Sequence, residues 1–100
     1  MAKKITLFCS AGMSTSLLVN KMKVAAAAKG VECEISAHGL ASVDKYGPAA
    51  DIILLGPQVR YAEKEIRAKF PDKPIASIDM RLYGTMDGKS VLETALKYVK

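Results

Sequence analysis

The first eighteen residues contain a strand, a loop of small residues and the start of a helix, in that order. The apolar run from Ile5 to Phe8 is typical of a buried strand, and the residues from Leu17 onward are typical of a helix. After this run comes Cys9, which is followed by six small or flexible residues, Ser10 to Thr15, three of which carry a hydroxyl group. This arrangement predicts the strand–loop–helix unit of an α/β fold.

The rest of the chain alternates strand and helix patterns. Ser14 or Thr15 is predicted to cap the first helix, and Gly30 to end it. Residues 31–37 alternate apolar and polar positions, which indicates an edge strand, whereas the unbroken apolar run in 51–56 indicates a central parallel strand. The predicted strands are 5–8, 31–37, 51–56 and 73–79, and the predicted helices are 15–29, 40–46, 61–70 and one capped by Asp87.

These elements predict an α/β fold: a single open four-stranded parallel sheet with helices on both faces, formed by residues 1–100 as one domain. Ligand sites in such sheets lie outside the carboxyl ends of the strands, where the strand order reverses. Cys9 is predicted at one of those ends. The last helix is expected to turn Val91, Leu92, Ala95, Leu96 and Val99 toward the core.

Composition and charge narrow the classes of function. The net charge is +5, but the lysines are scattered and only six aromatic residues accompany them, so no nucleic-acid surface is indicated. Two cysteines without CxxC spacing and one histidine make a poor metal set, and no metal or cofactor is expected. The N-terminus lacks an apolar signal region and no apolar run could span a bilayer, so we expect a cytoplasmic protein with both cysteines as thiols.

The loop after Cys9 is typical of an anion site. Small residues before a helix direct backbone N–H groups inward, which suits a phosphoryl group, and the same groups stabilise a thiolate at the first position. Cys9 is therefore the candidate nucleophile, although a buried structural thiol is the commoner fate of a cysteine. Cys33 shares the apolar side of its strand with Ile35 and is expected in the core. The candidate phosphate-binding residues are Ser10, Ala11, Gly12, Met13, Ser14 and Thr15.

Two residue types are missing from this loop. It has no lysine of the Walker type, which argues against nucleotide binding. A cysteine phosphatase has Cys, five residues and then Arg, and here that last position is Thr15. The loop is thus expected to hold a phosphoryl group without hydrolysing it quickly, unless Arg60 or Arg81 reaches in from the same edge of the sheet.

Four further residues are weaker candidates. Gln58 follows the third strand, where it would bond a phosphoryl oxygen, shape a docking surface or simply form a turn. Asp79 and Tyr83 follow the fourth strand, and a turn or capping role for Asp79 is favoured over general acid chemistry. His38 follows the edge strand and has little support as a phosphate acceptor.

Three segments resemble the enzyme IIB components of the bacterial sugar phosphotransferase system, in the lactose/cellobiose/chitobiose family. They are residues 8–18 (FCSAGMSTSLL), 51–61 (DIILLGPQVRY) and 78–88 (IDMRLYGTMDG). The resemblance implies a sheet like that of low-molecular-weight tyrosine phosphatases. It also implies that a phosphohistidine of a soluble IIA protein donates to Cys9, which passes the phosphoryl group to a disaccharide bound by the membrane-embedded IIC at the inner face of the membrane.

Two other classes remain as alternatives. A small cysteine-dependent phosphatase or arsenate reductase has the same predicted fold, but Thr15 stands where its arginine is needed. A receiver-type phosphodomain would have its acceptor Asp at the end of the third strand, where Gly56 lies.

Overall fold

The computed structural model describes residues 3–10 and 13–98, with no description of the side chains of residues 13 and 14. Four strands form one parallel sheet in the order β2-β1-β3-β4. The predicted fold class is confirmed, as are the edge position of the second strand and the central position of the third. The strands are β1 (Lys3–Cys9), β2 (Cys33–Gly39), β3 (Ile52–Leu55) and β4 (Ile75–Ser77).

The described residues also form five α-helices and three 3-10 segments. The α-helices are α1 (Met13–Lys29), α2 (Val43–Tyr46), α3 (Glu63–Lys69), α4 (Met80–Gly84) and α5 (Gly88–Tyr98). The 3-10 segments are Leu40–Ser42, Gly47–Ala49 and Pro57–Ala62. The sequence prediction missed α4, and it began the third predicted helix inside a 3-10 segment, because Gly-Pro after β3 tightens the first turns.

Helix α1 begins earlier and ends where the sequence predicted. Because it starts at Met13, Ser14 and Thr15 lie inside it, and the prediction that one of them caps the helix is wrong. Gly30 ends it with a φ of 70°. The N–H of Gly30 donates to the carbonyl of residue 27 and that of residue 31 to the carbonyl of residue 26, the paired bonds of a Schellman motif.

The two faces of the sheet bury separate apolar clusters, because alternate side chains of a strand point to opposite faces. On β1, Ile5 and Leu7 join one cluster and Phe8 joins the other. The first cluster is covered by α1 and α5, and the second by α2, α3 and the segment Pro57–Ala62. Helices therefore cover both faces, as predicted.

Helices α1 and α5 pack at very short range. A Cβ atom added to Gly88 would lie 2.6 Å from the backbone carbon of Lys21, so only glycine fits at this crossing. Asp87 caps α5 as predicted, since its carboxylate accepts from the N–H and the hydroxyl of Ser90. Val91, Leu92 and Ala95 are buried and Leu96 packs against them, whereas Val99 lies outside the described residues. No helix within residues 3–10 and 13–98 is long and apolar enough to cross a membrane.

Candidate functional site

Cys9 is the last residue of β1, one of the two central strands. Its side chain is 2% exposed, and it lies opposite Gly39 of β2 in the parallel register. From β1 the chain crosses to β2 on one side, while β3 lies on the other, so the strand order reverses at β1. In a parallel α/β sheet this reversal leaves a crevice at the carboxyl edge, which is the usual ligand site. Cys9 thus stands at the position that the fold favours for chemistry.

Gly56 has no side chain, and Cys9 packs against the space that a side chain there would fill. Its N–H donates to the carbonyl of Phe8 at 2.8 Å, which ties the end of β3 to the residue before the cysteine. A Cβ atom on Gly56 would lie 3.2 Å from the Cβ of Cys9 and 3.0 Å from the Oε1 of Gln58. Gln58 and Cys9 therefore both lie against Gly56, and Gln58 is exposed to solvent.

The predicted phosphate-binding loop leads directly into α1. Ser10 is an exposed bend residue, and Met13 is the first residue of the helix. Ala11 and Gly12 lie outside the described residues, as do the side chains of Met13 and Ser14. The start of a helix of 17 residues thus follows Cys9 in the chain by only a few positions. The N-terminus of such a helix carries partial positive charge and unpaired N–H groups.

Thr15 is directed toward α4. It is fully buried, and its hydroxyl oxygen lies 3.4 Å from the phenolic oxygen of Tyr83, which is 8% exposed. This separation is long for a hydroxyl pair, and either group can be the donor. The structure therefore brings Thr15 and Tyr83 into contact, whereas the sequence analysis predicted no contact between these two candidate residues.

Asp79 caps α4. Its Oδ1 accepts from the N–H groups of Arg81 at 2.8 Å and Leu82 at 3.2 Å, which is the capping role that the sequence analysis favoured. By fixing the first turn of α4, Asp79 also fixes the helix that presents Tyr83 to Thr15. The sequence signal for α4 was available, since an Asp followed by four helix-compatible residues is a start pattern, but the helix is too short to show periodicity.

The two arginines that the sequence placed at this edge share one surface depression. Arg60 and Arg81 line a surface depression between the segment Pro57–Ala62 and α4, together with Asp79 and Met80. Cys9 is not among the residues that line this depression.

The other sulfur and imidazole groups occupy different surroundings. Cys33 pairs with Lys3, at the opposite end of β1 from Cys9, and packs partly buried against the first cluster, where burial raises the pKa of its thiol. His38 lies within β2 rather than after it, and its ring stacks on Tyr46 with centroids 3.7 Å apart. Burial and, to a lesser extent, the charge of Lys45 lower the pKa of His38. Within residues 3–10 and 13–98, no three His, Cys, Asp or Glu residues are grouped as metal ligands would be.

The fold and the site define a small α/β domain with a buried cysteine between a central strand and a helix N-terminus. Comparison with known families identifies the family to which this domain belongs. Residues 4–94 match the family described as PTS system, Lactose/Cellobiose specific IIB subunit. The chain belongs to this family, whose members are phosphotransferases of sugar uptake that work with IIA and IIC components.

Individual relatives agree with this assignment. The chain is 44% identical to the PTS system galactose-specific EIIB component of Lactococcus lactis subsp. cremoris, over 93% of each chain. It is also 44% identical, over 93% of each chain, to the PTS system cellobiose-specific EIIB component of Lactococcus lactis subsp. lactis. The solved lactose-specific IIB domain of Streptococcus pneumoniae superposes with a TM-score of 0.86 over 100% of both chains, and at 20% identity it supports the fold.

Proposed function

We propose that Cys9 receives a phosphoryl group from a phosphohistidine of a soluble IIA protein and passes it to a disaccharide held by a membrane IIC protein. The observation that carries this proposal is the position of Cys9, buried at the carboxyl end of β1 and followed within a few residues by the N-terminus of α1. A thiolate and a phosphoryl group are both stabilised at such a place. Membership of the IIB family supports the choice of IIA and IIC proteins as the two partners.

The transfer consists of two balanced displacements. In the first, the Cys9 thiolate attacks phosphorus in line, so that the S–P bond forms as the N–P bond breaks and the imidazole leaves with that bond's electron pair. In the second, a sugar hydroxyl oxygen attacks, the S–P bond breaks, and the thiolate is regenerated while a base in the acceptor complex takes the hydroxyl proton. We infer that backbone N–H groups of residues 11–15 and the hydroxyls of Ser10 and Ser14 take up charge on the phosphoryl oxygens.

The residue at the arginine position of a cysteine phosphatase supports transfer over hydrolysis. Thr15 occupies that position, and its hydroxyl faces Tyr83 in a buried contact. A guanidinium there would grip the phosphoryl oxygens in two places and stabilise attack by water. Without that grip the phosphocysteine is expected to persist until the sugar hydroxyl is presented. The relatives named for galactose and for cellobiose are equally similar to this chain, so we infer that the sugar is selected by the IIC protein.

The test is intact mass after incubation with a phosphorylated IIA protein, followed by mapping of the modified residue. We expect one phosphoryl group on Cys9, none on Cys9→Ser, and normal labelling of Cys33→Ser as the matched control. Phosphate found on Cys33 or His38 with Cys9 unmodified would contradict the proposal. So would steady Cys9-dependent hydrolysis of an aryl phosphate at roughly 1 per second or faster, the rate of an ordinary enzyme.

A further inference from the structure

The depression beside the candidate site has walls from two different connections of the sheet. One wall is the segment Pro57–Ala62 after β3, and the other is the start of α4 after β4. The same two connections reach the candidate site, one where Gly56 lies against Cys9 and the other where Tyr83 contacts Thr15 of α1. A partner protein that reaches Cys9 from this edge must therefore pass over the depression or rest on it.

The depression is electropositive. Arg60 and Arg81 are both exposed, and neither forms an ion pair with any residue in the described ranges 3–10 and 13–98. The carboxylate among its lining residues, that of Asp79, already accepts two backbone N–H groups at the start of α4. Two arginines that form no ion pair within the described part of the chain favour an anionic surface opposite them.

Large apolar side chains accompany these arginines. Tyr61, next to Arg60, is 77% exposed, and Met80, next to Arg81, is 66% exposed. Tyrosine, methionine and arginine are the residue types that protein interfaces enrich, and tyrosine and arginine are common among the residues that dominate binding energy. This composition is typical of a surface that docks another protein.

We propose that the Arg60–Arg81 depression, with Met80 in its lining and Tyr61 next to Arg60 in the chain, is the docking surface for the soluble IIA donor, through an acidic patch that surrounds exposed apolar residues. This proposal rests on the proposed function, since it names the surface that receives the donor. Charge complementarity favours the donor over the transporter, because the cytoplasmic loops of membrane proteins carry an excess of Lys and Arg and would be repelled by two arginines.

The test is calorimetric binding of the unphosphorylated IIA protein at low and high salt, with the variant Arg60→Gln/Arg81→Gln. We expect the double variant to bind the IIA protein roughly tenfold more weakly than the wild type does at low salt. Raising the salt concentration should weaken the binding of the variant less than that of the wild type. Phosphorylation of the variant should show a raised KM for the phosphorylated donor at an unchanged kcat. Lys97→Gln, which removes an exposed charge from the last turn of α5, is the matched control and should bind as the wild type does. Circular dichroism checks that the fold of each variant is retained.

The outcomes separate this proposal from the proposed function. Wild-type affinity in the double variant overturns the docking surface. If the variant binds the donor normally but transfers more slowly to the IIC protein, the proposal is also overturned. The same holds if it binds the donor normally but no longer binds vesicles of anionic phospholipid. If the wild type is not phosphorylated on Cys9 but the tenfold difference in binding persists, the docking surface stands and the proposed function fails.

Discussion

The short approach between α1 and α5 at Gly88 leads to a prediction about stability. A Cβ atom on Gly88 would lie 2.6 Å from the backbone carbon of Lys21 and 2.7 Å from the backbone nitrogen of Met22, whereas ordinary contacts begin at 3.4 Å. The difference between 3.4 and 2.6 Å means that α1 and α5 must separate by about 0.8 Å in the variant Gly88→Ala. Backbone atoms cannot rotate away as a flexible side chain would, so the two helices must move as bodies.

The cost follows from this displacement. Overpacking of a dense interior costs about 1–3 kcal/mol, and alanine at a helical position returns at most about 1 kcal/mol relative to glycine. We therefore expect Gly88→Ala to lower the free energy of unfolding by about 1–2 kcal/mol. For a chain of this size, each kcal/mol corresponds to about 4–8 °C in Tm, so the expected fall is about 4–16 °C.

The assay is thermal unfolding followed by circular dichroism, and the control is another helical glycine. Gly84 lies in α4, and a Cβ atom there would meet nothing within 4 Å. Gly84→Ala should therefore leave Tm unchanged or raise it by a few degrees, since only the helix preference changes. A Tm of Gly88→Ala equal to or above that of the wild type would refute the described packing, and an equal loss in both variants would refute the role of space.

Three further predictions concern the site edge and the second face. In Gly56→Ala the added methyl group should press on Cys9 and slow single-turnover phosphorylation by about tenfold or more, with little change in Tm. The reason is that displacements well under 1 Å matter in transfer geometry. An unchanged rate would count against this prediction. Asp79→Ala should lower stability by about 0.5–2 kcal/mol in denaturant unfolding through loss of the α4 cap, and wild-type stability would show that the cap is unimportant. The pKa of His38 should lie below its usual 6.5 in an NMR titration, so the unfolding free energy falls as pH drops below 6.5, where the unfolded chain binds the proton more readily. Lys45→Gln should raise that pKa and weaken this pH dependence, and an unmoved titration would contradict the electrostatic cause.

Local patterns were sufficient for most of the fold. The unbroken apolar run of β3 and the alternating pattern of β2 predicted a central and an edge strand, because burial on one face or two sets the period of apolar residues. Gly30 was predicted at a helix end because glycine, which has no side chain, readily adopts a positive φ. Asp87 was predicted at a helix start because its carboxylate accepts from nearby backbone N–H groups. Cys9 was placed at the carboxyl end of a strand by the same local reasoning.

Contacts between distant residues were decided only by the tertiary structure. The caps proposed at Ser14 and Thr15 failed because α1 already begins at Met13. The buried contact of Thr15 with Tyr83, 68 positions away, could not be read from local patterns. Helix α4 escaped prediction because five residues are too few to show a helical period. The requirement for glycine at Gly56 and the pairing of two arginines at one depression also depend on chain segments that meet only in three dimensions. Sequence patterns report the forces between near neighbours, whereas the shape and charge of a site arise where strands and helices from separate parts of the chain end together.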